Sequence, residues 1–482
     1  MNHGKIICRD LGSILLIVSV VNLFTIIVPV FYAEYNQIPW ILLTSGIFAV
    51  IGIILRFLGR TTEVTRLRHA VTIAALSWIL IPAITTIPFI FITKLDFLSS
   101  LFETMSGWTT TGLSMFTGQE EQLSHTIIFY RSFMQWIGGI GIVVLSLNIL
   151  ANRGTGAYHL FQAETRTDED KIKPSIKSTM NFVWRIYIFY TIIGIILLSV
   201  FGMPIWDAIN NTMTALSTGG FAIRGASIGA YNSVIAEILI IILMLIGATS
   251  FVAHSKLLRG KIREFFKYPQ VSVLIFLCIF GAILVAYFNL SYYNGNWLTS
   301  IRYSSFQIFS AQTTTGFQTM DIAQWGSLAK LLLSIAMIIG AAAGSTGGGI
   351  KVIRLIILTK EVKWHYRKIM SSPRRIFSYS LGGKHLSREE KDDIVNEAGI
   401  ISFLWIIFLF VGVAVLLLTV SGYSFDDVFF EVCSAQGNCG LSVGITKVMM
   451  EPIAKFMLVV NMYIGRLEII PIIAMFVTIF RK

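Results

Sequence analysis

The sequence predicts an all-α polytopic membrane protein, and three observations support this fold class: the composition, the long apolar segments and a fourfold internal repeat. Of the 482 residues, 55% are hydrophobic and only 13% are charged, which is too little polar surface for a soluble protein. Apolar runs of about 20 residues recur, and each can cross a bilayer as a helix. Ten transmembrane helices are predicted, two peripheral and eight in four helix–pore-loop–helix repeats around one axis.

The first two apolar runs lie outside the repeat. Residues 11–33 follow Lys5 and Arg9 with no cleavage-site pattern, so they are predicted to form a retained helix. Residues 38–58 span back across the membrane and are followed by a basic loop. Neither run carries a copy of the repeated motif, so residues 1–68 are predicted to form a peripheral pair.

A short Thr/Gly motif marks the repeat. Two close copies are WTTTGL at 108–113 and QTTTGF at 312–317, and two looser copies are STGGF at 217–221 and GNCGL at 437–441. The alignment superposes Gly112, Gly219, Gly316 and Gly440. Six positions earlier three copies carry serine, and nine positions earlier all four carry a polar residue, namely Glu103, Asn210, Gln307 and Glu431. Four copies in register indicate a structural repeat rather than four unrelated turns.

Each motif follows a short amphipathic segment and lies between two long apolar runs. The short segment has about a dozen residues, too few to cross a membrane, and is predicted to be a re-entrant pore helix. The predicted long, short and long helices are 69–92, 96–108 and 126–150; 181–202, 204–216 and 232–254; 270–290, 297–312 and 327–358; and 397–420, 424–436 and 451–480. The corresponding repeats are predicted to be residues 69–177, 178–267, 268–375 and 376–482.

The four motifs are predicted to line one ion pore. An extended polar segment cannot face lipid, because its backbone groups would lack hydrogen-bond partners, and it is tolerated only where it lines a cavity. Four such segments around an axis present rings of carbonyl oxygens that replace the water shell of a cation. The C-terminal ends of the pore helices, which point at the motifs, also favour a cation. A set of ordinary extracellular turns is the competing interpretation.

A glycine-rich run, GAAAGSTGGG at 340–349, interrupts the second apolar helix of repeat three. Glycine costs about 1 kcal/mol in a helix interior, so the run is predicted to form a loop inside the membrane, lining the cavity. Close helix packing through small residues is the alternative, and it competes more strongly for Gly340 and Gly344 than for the triplet 347–349.

Arg466 lies in the last apolar run, at a depth similar to that of the glycine-rich loop. An intramembrane arginine is expected to be functional. The alternative is a structural ion pair with Glu468 or with an acid on a pore helix, and both interpretations can hold together.

Lysine and arginine concentrate in the segments 153–177, 256–267, 351–375 and 481–482. Basic loops mark the cytoplasmic side of a membrane protein, and these segments share one side if ten helices span and both termini are cytoplasmic. The net charge of +12 therefore reflects topology, and a nucleic-acid partner is not expected. Acidic residues on the filter side, among them Asp96 and Asp207, would attract cations, although avoidance of positive charge outside explains the same pattern.

The sequence gives little support for an enzyme. Cys8, Cys278, Cys433 and Cys439 show neither metal-ligand spacing nor a disulfide framework, and HExxH, Walker and GxSxG motifs are absent. No cofactor is expected on this chain apart from the transported ion.

The four motif copies, the GSTGGGIK run at 344–351 and GRLE at 465–468 together resemble the Trk/Ktr/HKT superfamily of potassium transporters. The two additional N-terminal helices favour its TrkH-type membrane subunit, and the resemblance covers essentially the whole chain. It implies K⁺ uptake across a bacterial inner membrane, a homodimer with one pore per subunit, and gating by a cytosolic, TrkA-like nucleotide-binding subunit. This chain carries no nucleotide-binding fingerprint, so nucleotide is expected only on that partner.

The resemblance also implies site residues. The implied selectivity filter, where K⁺ would be bound, comprises Thr110, Thr111, Gly112, Ser217, Thr218, Gly219, Gly220, Thr314, Thr315, Gly316, Asn438, Cys439 and Gly440. The implied gate below it comprises Gly344, Ser345, Thr346, Gly347, Gly348, Gly349 and Arg466. Cys439 departs from the threonine of the close copies.

Two alternatives to a K⁺-selective gated pore remain at this stage. The same pore could admit Na⁺ as well, because selectivity depends on ring geometry. An ion-coupled symporter is the other, although proton coupling usually leaves a chain of intramembrane carboxylates or histidines, and the sequence shows no such chain.

Overall fold

The structure is a computed structural model, described here for residues 3–141, 176–372, 377–469 and 471–475. Within these ranges the chain is helical apart from one two-stranded hairpin, β1 (Tyr379–Leu381) paired antiparallel with β2 (Lys384–Leu386). The N-terminal pair consists of α1 (His3–Leu23), a 3-10 turn, α2 (Ile27–Phe31) and α3 (Ile38–Leu58). The predicted peripheral helices are thus observed.

The four repeats follow, each with a long first helix, a pore helix and a second helix in the predicted order. Repeat one contains α4 (Leu67–Ile92), α5 (Phe97–Trp108) and α6 (His125–Ile140); repeat two contains α7 (Ile176–Val200), α8 (Ile205–Leu216), α9 (Val234–Ala248), α10 (Phe251–Leu258) and α11 (Ile262–Phe266). Repeat three contains α12 (Pro269–Phe288), α13 (Trp297–Gln312), α14 (Ser327–Ile339) and α15 (Val352–Ile369). Repeat four contains α16 (Arg388–Thr419), α17 (Phe425–Gln436) and α18 (Pro452–Leu467).

Local sequence fixes where the pore helices α5, α8, α13 and α17 begin. Asp96 and Asn296 accept hydrogen bonds from backbone N–H groups in the first turns of α5 and α13, and Ser424 forms a capping box with Asp427 in α17. Pro204 precedes α8, where a missing N–H costs nothing. These caps satisfy amides that would otherwise be unpaired at a helix end.

The described helices make this a multi-pass membrane protein. Six are long and apolar enough to cross a bilayer, and α9 with α10 would add a seventh if that bent pair is one span. The helices α6, α14 and α18 are shorter than a full span, with 16, 13 and 16 residues. The total of ten spans therefore stays a prediction.

The second helices of the repeats end near the level of the motifs, which corrects three predicted spans. The predicted helix 232–254 is wrong, since the chain bends by 110° between Ala248 and Phe251, where Ser250 caps a new helix. The predicted helix 451–480 is wrong as well, because α18 ends at Leu467 and the next two residues have positive φ. In repeat one, α6 ends at Ile140, within the predicted helix 126–150. Residues 142–150 of that predicted helix lie outside the described ranges.

In repeat three the predicted interruption is confirmed. The helix α14 stops at Ile339, residues 340–351 are irregular, and α15 begins at Val352. The predicted span 327–358 is therefore two helices joined by a loop, as the glycine content indicated.

The repeats pack in a ring, because each second helix contacts the pore helix of the next repeat. The pairs are α6 with α8, α9 with α13, α14 with α17, and α18 with α5. The last pair joins repeat four to repeat one, so the ring is closed and the four motifs meet at its centre.

Candidate ion-conducting site

The four motifs share one backbone conformation. The residue after each pore helix is still helical, and the next one adopts a left-handed conformation, with φ of 56° at Thr110, 52° at Thr218, 55° at Thr314 and 52° at Asn438. Two residues later comes a glycine with positive φ: Gly112, Gly220, Gly316 or Gly440. Since left-handed threonine is rare and costly, its recurrence at equivalent positions shows that the repeat is structural.

The structure corrects the register of repeat two by one residue. Gly220, not Gly219, is equivalent to Gly112, and Ser217 occupies the helix-end position of Thr109, before the three-residue motif. Two adjacent glycines made the sequence alignment ambiguous, and the backbone conformation resolves it. The polar residue nine positions earlier is consequently Asn211 instead of Asn210.

The motif glycines close a ring of direct backbone contacts. A Cβ atom added to Gly112 would lie 2.2 Å from the carbonyl oxygen of Gly219 in repeat two. A Cβ atom added to any of the other three glycines would also collide with a carbonyl oxygen of the next repeat. The distances from the added Cβ are 1.9 Å for Gly220 to the Thr315 oxygen, 2.0 Å for Gly316 to the Cys439 oxygen, and 2.3 Å for Gly440 to the Thr111 oxygen. Each carbonyl thus belongs to the residue before the next motif glycine, and four equivalent oxygens surround one axis.

The serines found six positions before the glycines hold the motifs in place. The hydroxyls of Ser106, Ser310 and Ser434 accept hydrogen bonds from the N–H groups of the corresponding glycines at 3.0, 3.0 and 2.9 Å. In repeat two the equivalent residue is Thr214, whose backbone oxygen accepts the bond from Gly220 at 3.3 Å. These bonds occupy the glycine amides and hold each motif against its own pore helix.

The fourth motif keeps this backbone in spite of its different side chains. The Cys439 N–H donates to the Ser434 carbonyl at 2.9 Å, as Thr315 N–H does to Ser310 in repeat three. Its thiol is buried against the Ser310 carbonyl at 3.8 Å. Asn438 Nδ2 donates to Thr111 Oγ1 at 2.9 Å, which links motif four to motif one. The substitution of cysteine for threonine therefore leaves the geometry of the ring unchanged.

Two buried carboxylates support the segments that follow the motifs. Glu103 accepts from the Met115 N–H at 2.8 Å, and Glu431 accepts from the Val443 N–H at 3.0 Å, the same spacing in both repeats. In repeat one, Arg131 Nε donates to Glu103 at 2.8 Å and its guanidinium stacks on Phe221 of repeat two. An ion pair this deeply buried (2% and 0% side-chain exposure) is costly to break.

Gln135 on α6 is a site residue that the sequence analysis missed. Its Nε2 donates to the Gly219 carbonyl at 2.7 Å, and its Oε1 accepts from the Phe221 N–H at 3.0 Å, so it fixes the strand of repeat two from behind. The signal was present in the sequence, since Arg131 is a charged residue and Gln135 an amide residue within a largely apolar run, four positions apart and so on one face of a helix.

The glycine-rich loop lies directly against the motifs. The Gly348 N–H donates to Thr314 Oγ1 at 2.7 Å, and Thr346 Oγ1 donates to the carbonyls of Leu216 and Gly247 at 3.0 and 2.9 Å. The Gly344 carbonyl accepts from the Phe251 N–H at 2.9 Å. The loop thus connects pore helix ends of different repeats.

Two constraints act on its glycines. Gly340, Gly344 and Gly349 have positive φ, and Gly347 and Gly348 are packed so closely that a Cβ would collide with Ala341 or with the Gly437 carbonyl. Gly340 meets both constraints, since a Cβ there would lie 2.2 Å from the Gly348 carbonyl oxygen, so close packing is present at Gly340 and also within the triplet 347–349. Ser345 bonds within the loop, to Ala342 at 2.5 Å.

Arg466 reaches the same level from α18. Its guanidinium donates to Thr110 Oγ1 at 3.2 Å, to the Thr346 carbonyl at 2.9 Å and to the Gly138 carbonyl at 2.7 Å. Glu468, the acid considered as a partner of Arg466, forms an ion pair with Arg354 of α15. Arg466 therefore joins motif one, the glycine-rich loop and α6 at one point beneath the ring.

Fold and site together define a multi-pass membrane protein built around a central ring of four Thr/Gly segments with a cationic side chain beneath it. The chain belongs to the TrkH family of cation transport proteins, whose family model matches residues 37–481. It is 34% identical over 477 residues to an uncharacterized cation transporter of Methanocaldococcus jannaschii, covering 99% of this chain and 96% of that one. It is 32% identical over 424 residues to the Trk system potassium uptake protein TrkH of Salmonella typhimurium, covering 86% of each.

A solved structure agrees with the fold over the full length. The crystal structure of the potassium transporter TrkH from Vibrio parahaemolyticus superimposes with a TM-score of 0.84 at 26% identity, and the match covers 100% of both chains. The sequence-based identification of a TrkH-type membrane protein is confirmed.

Proposed function

We propose that this chain is the K⁺-selective, ion-translocating subunit of a gated K⁺ uptake system. The observation that carries the proposal is the closed ring in which each motif glycine contacts the carbonyl before the next one. The ion is suggested by the relatives, which are named as potassium uptake proteins. The proposed filter residues are Thr110–Gly112, Thr218–Gly220, Thr314–Gly316 and Asn438–Gly440, with Ser217 supporting them from the helix end.

The physical basis of selectivity is the replacement of the ion's water shell by fixed carbonyl oxygens. The buried motif threonines and the serine hydroxyls that occupy the glycine amides hold the segments in one conformation. The four pore helices direct their C-terminal ends at the ring, and their dipoles stabilise a cation there. A filter of this kind binds through backbone oxygens and tolerates the side-chain change at Cys439.

The proposed gate combines Arg466 with the loop Gly344–Gly349. A positive charge below a cation filter raises the barrier to passage; two unit charges ~8 Å apart interact by roughly 2 kcal/mol at an effective dielectric constant of 20, which slows an ion by about one to two orders of magnitude. The bonds of Thr346 to repeat two and of Gly348 to repeat three favour a closed loop. Since the loop continues directly into α15, a force on that helix would open it.

A cytosolic, TrkA-like nucleotide-binding subunit is the proposed source of that force, and a homodimer with one pore per chain is the proposed assembly. Lys256, Arg259, Lys261 and Arg263 lie in and between α10 and α11. Arg259 and Arg263 are exposed, and the four residues suit an acidic docking surface. Neutralising them should weaken pull-down of the partner while basal flux remains. Unchanged pull-down of a normally inserted variant would leave these residues as topology signals only.

The proposed location is the bacterial inner membrane with both termini cytoplasmic, in line with the positive-inside distribution. Parts of that distribution, residues 153–175 and 481–482, lie outside the described ranges, so the orientation depends on the segments 256–267 and 351–372.

The experiment that tests the function is tracer flux into liposomes containing the purified chain. Rubidium uptake that exceeds sodium uptake, and that does not depend on a pH gradient, is expected for a K⁺-selective pore. Equal uptake of both ions would indicate an unselective Na⁺/K⁺ pore. Uptake that requires a proton or sodium gradient would indicate a symporter and contradict the proposed mechanism.

A further inference from the structure

Three of the four junctions between repeats are held by a polar contact near the start of a pore helix. Glu237 on α9 pairs with Arg302 on α13 at 2.7 Å, and Lys330 on α14 pairs with Asp427 on α17 at 2.6 Å. Lys455 on α18 donates to Ser99 Oγ on α5 at 2.8 Å. Each contact ties the second helix of one repeat to the pore helix of the next.

The junction between repeats one and two is built differently. Among the described residues of α6 and α8, the contacts at this level are apolar and aromatic, such as Phe129 against Trp206 with ring centroids 6.3 Å apart. A cavity of about 630 Å³ is lined by both helices, and the N-terminal helices α1 and α2 form its outer wall. The lining is apolar and includes Val21, Phe24, Ile27, Phe133, Trp136 and Ile209.

This cavity opens toward the surface that faces lipid. Phe31 is 80% exposed, Ile205 68% and Ile27 66%, although all three border the cavity. Its rim carries a stack of Tyr32 on His125, with centroids 3.8 Å apart, and Trp206 packs edge-on to both rings. Tyr and Trp with a polar edge are typical of the membrane–water interface, which places the rim at headgroup depth and the apolar interior within the hydrocarbon.

We propose that this cavity is a binding site for one acyl chain of a bilayer phospholipid, held between α1, α2, α6 and α8. An apolar cavity at this depth is surrounded by acyl chains at very high local concentration, and its lining offers no polar group that another ligand would require. Its volume lies within the range of about 300–1,000 Å³ that small-ligand pockets span. The acyl chain fills the junction at which, among the described residues, α6 and α8 meet through apolar and aromatic side chains.

Occupancy bears on the ring through α6. Trp136 lines the cavity, while its neighbour Gln135 holds the Gly219 carbonyl and the Phe221 N–H. An acyl chain packed behind Trp136 supports the helix that positions strand two. The site is thus a place where membrane lipid stabilises the central ring, independently of what the ring transports.

Tryptophan fluorescence with brominated phosphatidylglycerol tests the site, since bromine quenches only nearby indoles. The delipidated full-length chain in detergent is titrated with the brominated lipid, and the variant carrying Trp136→Phe and Trp206→Phe is titrated in parallel. The expected result is a saturable quenching component in the wild type that is lost in this variant. Quenching without a plateau, or a plateau of the same size in the variant, would overturn the proposal.

A filled cavity provides the second arm. Val21→Phe with Ile209→Phe adds rings from opposite walls, and the matched control, Ile235→Phe with Ile238→Phe, adds the same rings to exposed positions of α9. The filled variant is expected to bind the lipid about tenfold or more weakly, and the control to match the wild type. Unchanged lipid binding in the filled variant would refute the site. The site would also be refuted if the filled variant lost a dimer on light scattering while its quenching stayed unchanged, because a second copy of the chain would then be what occupies the cavity. Neither measurement involves ion flux.

Discussion

Replacing Gly316 by alanine places one methyl group inside the ring. The Cβ would lie 2.0 Å from the Cys439 carbonyl oxygen and 3.0 Å from the Gly440 Cα, and φ at this position is 91°. The alanine variant therefore carries two penalties: a backbone conformation that L-residues avoid, worth about 1–3 kcal/mol, and a collision with an oxygen of the next repeat. Only the second penalty acts on the proposed ion ligands.

The size of the effect on selectivity follows from how far the Cys439 carbonyl oxygen must move. Real Cβ atoms stay at least 3.0 Å from such an atom, so the Cys439 carbonyl must retreat by about 1 Å in a close-packed interior. If a contact to a charged group is worth about 1.5–3 kcal/mol, loss of this one oxygen lowers the preference for K⁺ over Na⁺ by about 10- to 100-fold.

The assay is the ratio of rubidium to sodium uptake in liposomes, and the chain offers a matched control. Gly118 has a similar φ of 78°, but a Cβ there meets nothing within 4 Å. Gly118→Ala should thus lose some stability and keep its selectivity, whereas Gly316→Ala should lose selectivity. Equal ratios in the two variants would refute the assignment of the ring as a filter.

Three further predictions follow from contacts around the ring. Ser310→Ala removes the hydroxyl that accepts a hydrogen bond from Gly316 N–H and should lower the rubidium-to-sodium uptake ratio. Thr214→Val should leave this ratio unchanged, because the backbone oxygen of Thr214 accepts the equivalent bond. Equal losses in the two variants would contradict the role of the serine hydroxyl. Arg466→Ala removes the positive charge below the filter and should raise rubidium flux in the absence of the partner by about one to two orders of magnitude. The rubidium-to-sodium uptake ratio should be retained. An unchanged flux in a folded variant would mean that the gate lies elsewhere. Arg131→Met should lower the free energy of unfolding by about 3–5 kcal/mol, as measured by thermal unfolding. Adding Glu103→Gln should restore most of the lost stability. If the double variant showed no recovery, the unpaired carboxylate of Glu103 would not be the cause of the destabilisation.

Most of the fold was predictable because membrane helices are specified by apolar length and pore helices by caps. The range 297–312 matched α13 at both ends, and Asp96 marks the start of α5 as expected. The second helices were less predictable. Their ends at Ala248 and Leu467 depend on tertiary contacts, such as the Arg354–Glu468 pair, that hydropathy does not register.

At the site, residue types indicated the motifs, but geometry determined the register. The two glycines of STGGF at 217–221 are equivalent in sequence, and only the left-handed Thr218 identifies Gly220 as the ring glycine. Gln135 and Arg131 were missed for a related reason, since their importance depends on which carbonyl and carboxylate they face. The glycine-rich loop was predicted from composition, while the close packing of Gly340 and Gly348 and the positive φ of Gly340 became visible only from its backbone path.

The measurement that tests the central claim most directly is anomalous diffraction from crystals grown with Rb⁺ in place of K⁺. Density is expected on the axis of the ring, at coordinating distance from the carbonyl oxygens of Thr111, Thr315 and Cys439. Rubidium density that is absent from this axis and located elsewhere in the membrane region would contradict the proposed filter.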